Sequence, residues 1–146
     1  MAFIYECSIK IHSVIDNLDE LGLPEGDPEI NIITTDGFLK AKDGLICLDY
    51  KEVSEENKTL VSLSVDEGGR VELSRRGAVV CDMIFAEGEE HCCLYQIPPY
   101  SFDMTLKTKK VRTTLSSSGG ELQLIYSMNV GGQDKNVRMK IRVEVK

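Results

Sequence analysis

The residues of this chain best suited to chemistry are an arginine, a carboxylate and a tyrosine, each on the apolar side of an alternating stretch. In Val71-Glu72-Leu73-Ser74-Arg75-Arg76-Gly77, a strand's two-residue period puts Val71, Leu73 and Arg75 on one face. The two apolar members mark that face as inward, so Arg75 points in with them. In Ile46-Cys47-Leu48-Asp49-Tyr50-Lys51-Glu52, the residues Ile46, Leu48, Tyr50 and Glu52 share a face, which makes Glu52 an inward carboxylate. A buried charge without a partner costs roughly several kcal/mol. Glu52 is the partner the pattern offers Arg75, with the Tyr50 hydroxyl beside it. The competing reading puts Arg75 at a strand end, with its stem on apolar surface and its guanidinium in water. If it stays inside, its planar fork suits the paired oxygens of a small anion.

Other chemistry lacks its residues. There is no G-x-S-x-G elbow, no Walker loop and no G-x-G-x-x-G. The Gly-Gly pairs at 68–69, 119–120 and 131–132 fall between alternating runs and read as turn residues. His91-Cys92-Cys93 invites a metal, but neighbours on a strand face opposite ways and no zinc spacing is present. Glycoside hydrolysis needs two carboxylates flanking a cleft, and Glu52 is the one inward carboxylate. No cofactor and no catalytic residue is therefore expected. The chain reads as a binding or interaction protein more than as an enzyme.

Stretches of alternating residues must position these groups. Phe3 to Val14 alternates; Asp16 to Pro28 is an irregular excursion, with a short helical turn possible at Asp16–Leu21. Strands follow at Glu29–Lys40, Leu45–Val53, Thr59–Val65, Val71–Arg75, Ala78–Ala86, His91–Ile97 and Ser101–Thr114, then at Leu122–Val130 and Val137–Val145. Lys42-Asp43-Gly44, Ser54–Asn57, Asp66–Gly69, Glu87–Glu90, Ser116–Gly120 and Gly131–Asp134 are turns. About ten strands with no crossover helices imply an antiparallel meander. Closing it into a barrel removes the exposed edges; a sandwich is the alternative. The chain of 146 residues is expected to be a single all-β domain. Large inward residues (Phe102, Tyr126, Met128, Met139) suggest that much of the interior is filled.

Charge divides the chain. The formal net charge is -7, which argues against tight nucleic-acid binding. Residues 101–146 nevertheless carry nine Lys and Arg against four Asp and Glu. The outer faces of strands 101–114 and 135–146 form a basic surface through Lys107, Lys109, Arg138, Lys140 and Arg142. It lacks the aromatics that single-stranded RNA would stack on. Five cysteines without a C-x-x-C, and no long apolar leader, give the expectation of reduced thiols in a cytoplasm. No apolar run approaches the ~18 residues a membrane span requires.

Tyr50-Lys51-Glu52, Arg75-Arg76-Gly77-Ala78-Val79, Phe85 with Gly88, Tyr95, Lys107-Thr108 and Tyr126-Ser127-Met128, taken in order, resemble the YwiB-like family of small bacterial proteins. The resemblance implies a calycin-type, lipocalin-like β-barrel and a cytoplasmic setting, and it carries no established function. Pro98-Pro99-Tyr100-Ser101 departs from the family, which usually has Pro, an aromatic and Gly there. On this fold a small anionic or phosphorylated ligand would enter the barrel mouth and meet Arg75, with Tyr50, Glu52, Tyr95, Thr108 and Tyr126 lining the site. The alternative is a non-enzymatic interaction protein whose basic outer face docks an acidic protein partner or the acidic half of a second copy, as a homodimer.

Overall fold

A computed structural model describes residues 3–53 and 57–146. Ten strands follow one another: β1 Phe3–Asn17, β2 Glu29–Lys42, β3 Leu45–Val53, β4 Lys58–Val65, β5 Val71–Gly77, β6 Cys81–Phe85, β7 Glu90–Ile97, β8 Tyr100–Thr113, β9 Gly119–Val130 and β10 Gln133–Val145. All pair antiparallel in one sheet ordered β6-β5-β4-β3-β2-β1-β10-β9-β8-β7. The meander thus closes between its two ends. β1 pairs with β10 from Cys7 opposite Val145 to Asn17 opposite Lys135. The remaining seam lies between β6 and β7, joined by one bridge. There Val80 and Gln96 exchange two backbone hydrogen bonds of 2.9 Å. The result is a nearly closed, lipocalin-like all-β barrel, with no helix among the described residues.

Local chemistry explains the turns. Asp43 and Gly44 both take positive φ (51° and 79°), as a two-residue hairpin whose twist matches its strands requires. The Asp66 carboxylate accepts the amides of Gly68 and Arg70 at 2.9 Å each, fixing the β4–β5 turn. The excursion after β1 forms no helix. Asp16 and Asn17 extend β1, and Asp19 then organises a turn by accepting the amides of Leu21 (2.9 Å) and Leu23 (3.0 Å). The turn expected at Ser54–Asn57 lies outside the described residues except for Asn57.

The interior is half filled. Towards the end that carries the β2–β3 and β4–β5 turns it is packed with Cys7, Ile9, Leu39, Leu48, Leu63, Val71, Leu73, Phe85, Leu106, Leu122, Ile141 and Val143. Burial of such side chains, each favourable by about 1.5–3 kcal/mol, plugs that half. Phe102 does not contribute; it is 40% exposed at the rim, next to Gly131 of the β9–β10 turn. Met128 and Met139 are only partly buried.

One wall is split. β3 pairs with β2 only where Leu45–Tyr50 lie opposite Gly37–Lys42. Among the described residues, β2 from Glu29 to Asp36 pairs with β1 alone. The parting occurs at Gly37, where a side chain would meet the carbonyl oxygen of Asp49, Ile9 Cδ1 at 2.9 Å and Tyr50 Cβ at 3.1 Å. Gly37→Ala should therefore force backbone to move and lower stability by about 1–3 kcal/mol in urea unfolding. An unchanged midpoint would mean that the strands can part without the close approach.

Candidate functional site

The open half of the barrel holds a cavity of about 320 Å³. Its walls come from the C-terminal ends of the odd-numbered strands and the N-terminal ends of the even-numbered ones. Apolar side chains dominate the lining, among them Ile11, Ile33, Val79, Val137 and the methionines 83, 104, 128 and 139. Of the six residues expected at the site, Tyr50, Glu52, Arg75, Tyr95 and Tyr126 line this space. Thr108 does not. It is buried opposite Tyr126, where its backbone accepts from Gly88 (2.9 Å) and donates to Glu89 (3.1 Å).

Strand register delivers the arginine. Tyr50, Val61, Arg75 and Cys81 lie opposite one another in a row across β3, β4, β5 and β6. Glu52 stands one inward position further along β3, opposite Thr59. Arg75 Nε donates to Glu52 Oε1 at 3.1 Å, with the side chains 17% and 29% exposed. This is the inward pair expected from the alternation. The Tyr50 hydroxyl takes no part in it. Arg76 points outward, where Nη2 donates to both Asp82 carboxylate oxygens at 2.9 and 3.0 Å.

The Arg75 guanidinium is incompletely satisfied. Nη1 donates to two sulfurs, Met83 Sδ at 3.4 Å and Cys81 Sγ at 4.0 Å, which are weak acceptors. Among the described residues, Nη2 has no protein acceptor. No sealed side-chain nitrogen or oxygen lacks a partner among those residues, so Nη2 opens on the cavity. The hydroxyls of Tyr50, Tyr95 and Tyr126 open on it for the same reason.

Electrostatics sets the character of these groups. Burial disfavours the Arg75 charge, but Glu52 above all, then Tyr50 and Cys81, holds its pKa above the ordinary value. Burial pushes the Tyr50 and Tyr126 phenols up to about 12 against the pull of Arg75, and raises Tyr95 as well. All three are therefore neutral hydrogen-bond donors near neutral pH. Burial also raises Cys81, and brings Cys93 to about 11, so neither is an activated thiolate. Among the described residues no three His, Cys, Asp or Glu come together as a metal site. Among the described residues, the cavity wall carries two cations, Arg75 and Lys135, and one carboxylate, Glu52.

The sequence reading missed Ser13, Asn31, Met83, Met104 and Lys135 in this wall. The signal was there for two of them. Lys135 extends the inward series of β10 by one step before Val137, and Ser13 follows Ile11 on β1. The outer basic face also needs correction. A bulge between Thr108 and Lys110 shifts the β8 register, so Lys110 and Arg112, not Lys109, lie opposite Ile125 and Gln123.

The family model described as Domain of unknown function (DUF1934) matches residues 9–143. Among solved structures, the crystal structure of ywiB protein from Bacillus subtilis is similar at a TM-score of 0.79 and 24% identity, over 95% of this chain and 92% of that one. At that identity the likeness speaks to fold alone, and the fold agrees with the barrel that the resemblance implied. No curated protein matches. Among the described residues no helix is long and apolar enough to cross a membrane.

The pair makes a definite energetic demand. Glu52→Leu strands the guanidinium and should cost about 1–3 kcal/mol in urea unfolding. The double variant Arg75→Met/Glu52→Leu should cost less than Glu52→Leu alone, since no uncompensated charge is left behind. Purely additive losses in this cycle would show that the two side chains act independently.

Proposed function

The chain belongs to the DUF1934 family of domains of unknown function, and we propose that it binds a small organic anion in the mouth of its barrel. The observation that carries this reading is the unused edge of Arg75. Glu52 holds Nε and thereby orients the side chain, while Nη2 faces a cavity with no protein acceptor among the described residues. A carboxylate or phosphate oxygen fits that position, and three neutral phenols supply further donors. The apolar lining suits a ligand with a hydrophobic body. Among the described residues the wall has one more cation than carboxylate, which favours an anion. Among the described residues no group in the cavity is poised as a nucleophile, so the reading is binding rather than catalysis.

The test is thermal denaturation against a panel of mono- and dicarboxylates and organic phosphates. A ligand present at 100 times its dissociation constant should stabilise the wild type by about 2.7 kcal/mol. Arg75→Met should lose that shift while remaining folded. Equal shifts in the two proteins, or none in either, would overturn the proposal.

A second reading, docking of an acidic protein on the basic outer face, has one observation in its favour. Lys10 lies directly opposite Arg142 on the paired outer rows of β1 and β10. Like charges across a strand pair are unfavourable unless something offsets them. Glu121 does so in part, at 3.1 Å from Lys140 and 3.4 Å from Arg142. Arg138→Glu and Lys110→Glu together should abolish binding to immobilised polyglutamate at low salt, with the fold unchanged. Unaltered retention would remove this reading.

A further inference from the structure

The split wall leaves a strand edge that nothing among the described residues covers. From Glu29 to Asp36, β2 pairs only with β1. In an antiparallel ladder every second residue turns its N–H and C=O away from its partner, so this segment presents a row of such groups on the open side. Natural edges are usually guarded by lysine, proline, a bulge or short length. Glu29-Ile30-Asn31-Ile32-Ile33-Thr34-Thr35-Asp36 contains no lysine, arginine or proline and runs for eight residues. Its outward residues Ile30 and Ile32 are 60% and 61% exposed.

We propose that this edge pairs with the same edge of a second copy, giving a two-fold dimer that also walls the side of each mouth cavity. The occupant follows from the sequence of the segment. An antiparallel pairing centred on Ile32 sets Ile32 against the partner subunit's Ile32. Ile30 then meets the partner's Thr34, and Asn31 meets the partner's Ile33. Glu29 lies opposite the partner's Thr35. Outward residues face outward residues, β-branched side chains meet each other, and the acids Glu29 and Asp36 avoid one another. Such cross-strand pairs are each favourable by about 0.2–1 kcal/mol. A two-fold contact requires this kind of self-complementarity. Asn31 and Ile33 already line the cavity, so the second copy would close the gap where β3 leaves β2. This inference does not depend on what the cavity holds.

Light scattering on the full chain over a range of concentrations and salt tests it. The expected result is a species of twice 16.3 kDa that persists from about 50 mM to about 500 mM salt, since backbone and apolar pairing is not screened as exposed charges are. Ile32→Lys, at an exposed position, should give a folded monomer. Ile32→Cys in a Cys92→Ser background should form a disulfide-linked dimer on mild oxidation, while Lys42→Cys in the same background should not. A wild-type monomer at every concentration overturns the proposal. So does a dimer that dissociates as salt rises, which would point to the basic face, or one that survives Ile32→Lys.

Discussion

The site depends on a charge placed inside the barrel. An inward guanidinium is tolerable there only if it is paired, and the pairing fixes where it points. Glu52 meets that requirement from two strands away at 3.1 Å. The carboxylate takes Nε, leaves Nη1 to sulfur and turns Nη2 into the cavity. The same contact therefore satisfies the charge and aims its free edge. Tyr50 and Cys81 lie in the transverse row of Arg75, so the register that pairs the charges also sets a neutral phenol and a neutral thiol beside them.

The two halves of the interior have different tasks. Leucine, isoleucine, valine and phenylalanine pack one half and supply the sheet's hydrophobic stabilisation. The other half adds four methionines, three phenols and the ion pair to a lining of isoleucine and valine. Unbranched, polarizable methionine side chains adapt to irregular guests more readily than branched ones do. A filled base and an adaptable mouth can coexist because each long strand crosses both. On β1, Ile9 belongs to the packed half while Ser13 and Ile15 belong to the cavity.

Alternation made most of this legible in the sequence. A two-residue period is a strong signal when one face is buried, and it gave the ten strands, the inward Arg75 and Glu52, and the three tyrosines near them. It failed where the ladder departs from regularity. The bulge after Thr108 reverses the facing of everything beyond it, which moved Lys109 off the expected row. Phe102 keeps the inward parity, but it lies at the rim, where parity no longer means burial. Thr108 has the right face at the wrong height, because a period specifies direction and says nothing of depth. The parting of β2 from β3 left only a glycine as its trace, Gly37, inside an alternating run that otherwise continued to Lys40.

The central claim is that Arg75 is held by Glu52 through one edge and open to a ligand through another. The most direct measurement is nitrogen-detected NMR of the Arg75 guanidinium, titrated with benzoate as a small carboxylate with an apolar body. The account predicts an Nε–H signal that is slowed in exchange and persists throughout the titration, with the Nη signals shifting as benzoate binds. An Nε–H signal lost in Glu52→Gln would identify its partner. Nη signals that stay still at saturating benzoate, or an Nε–H that exchanges as freely as that of an exposed arginine, would contradict it.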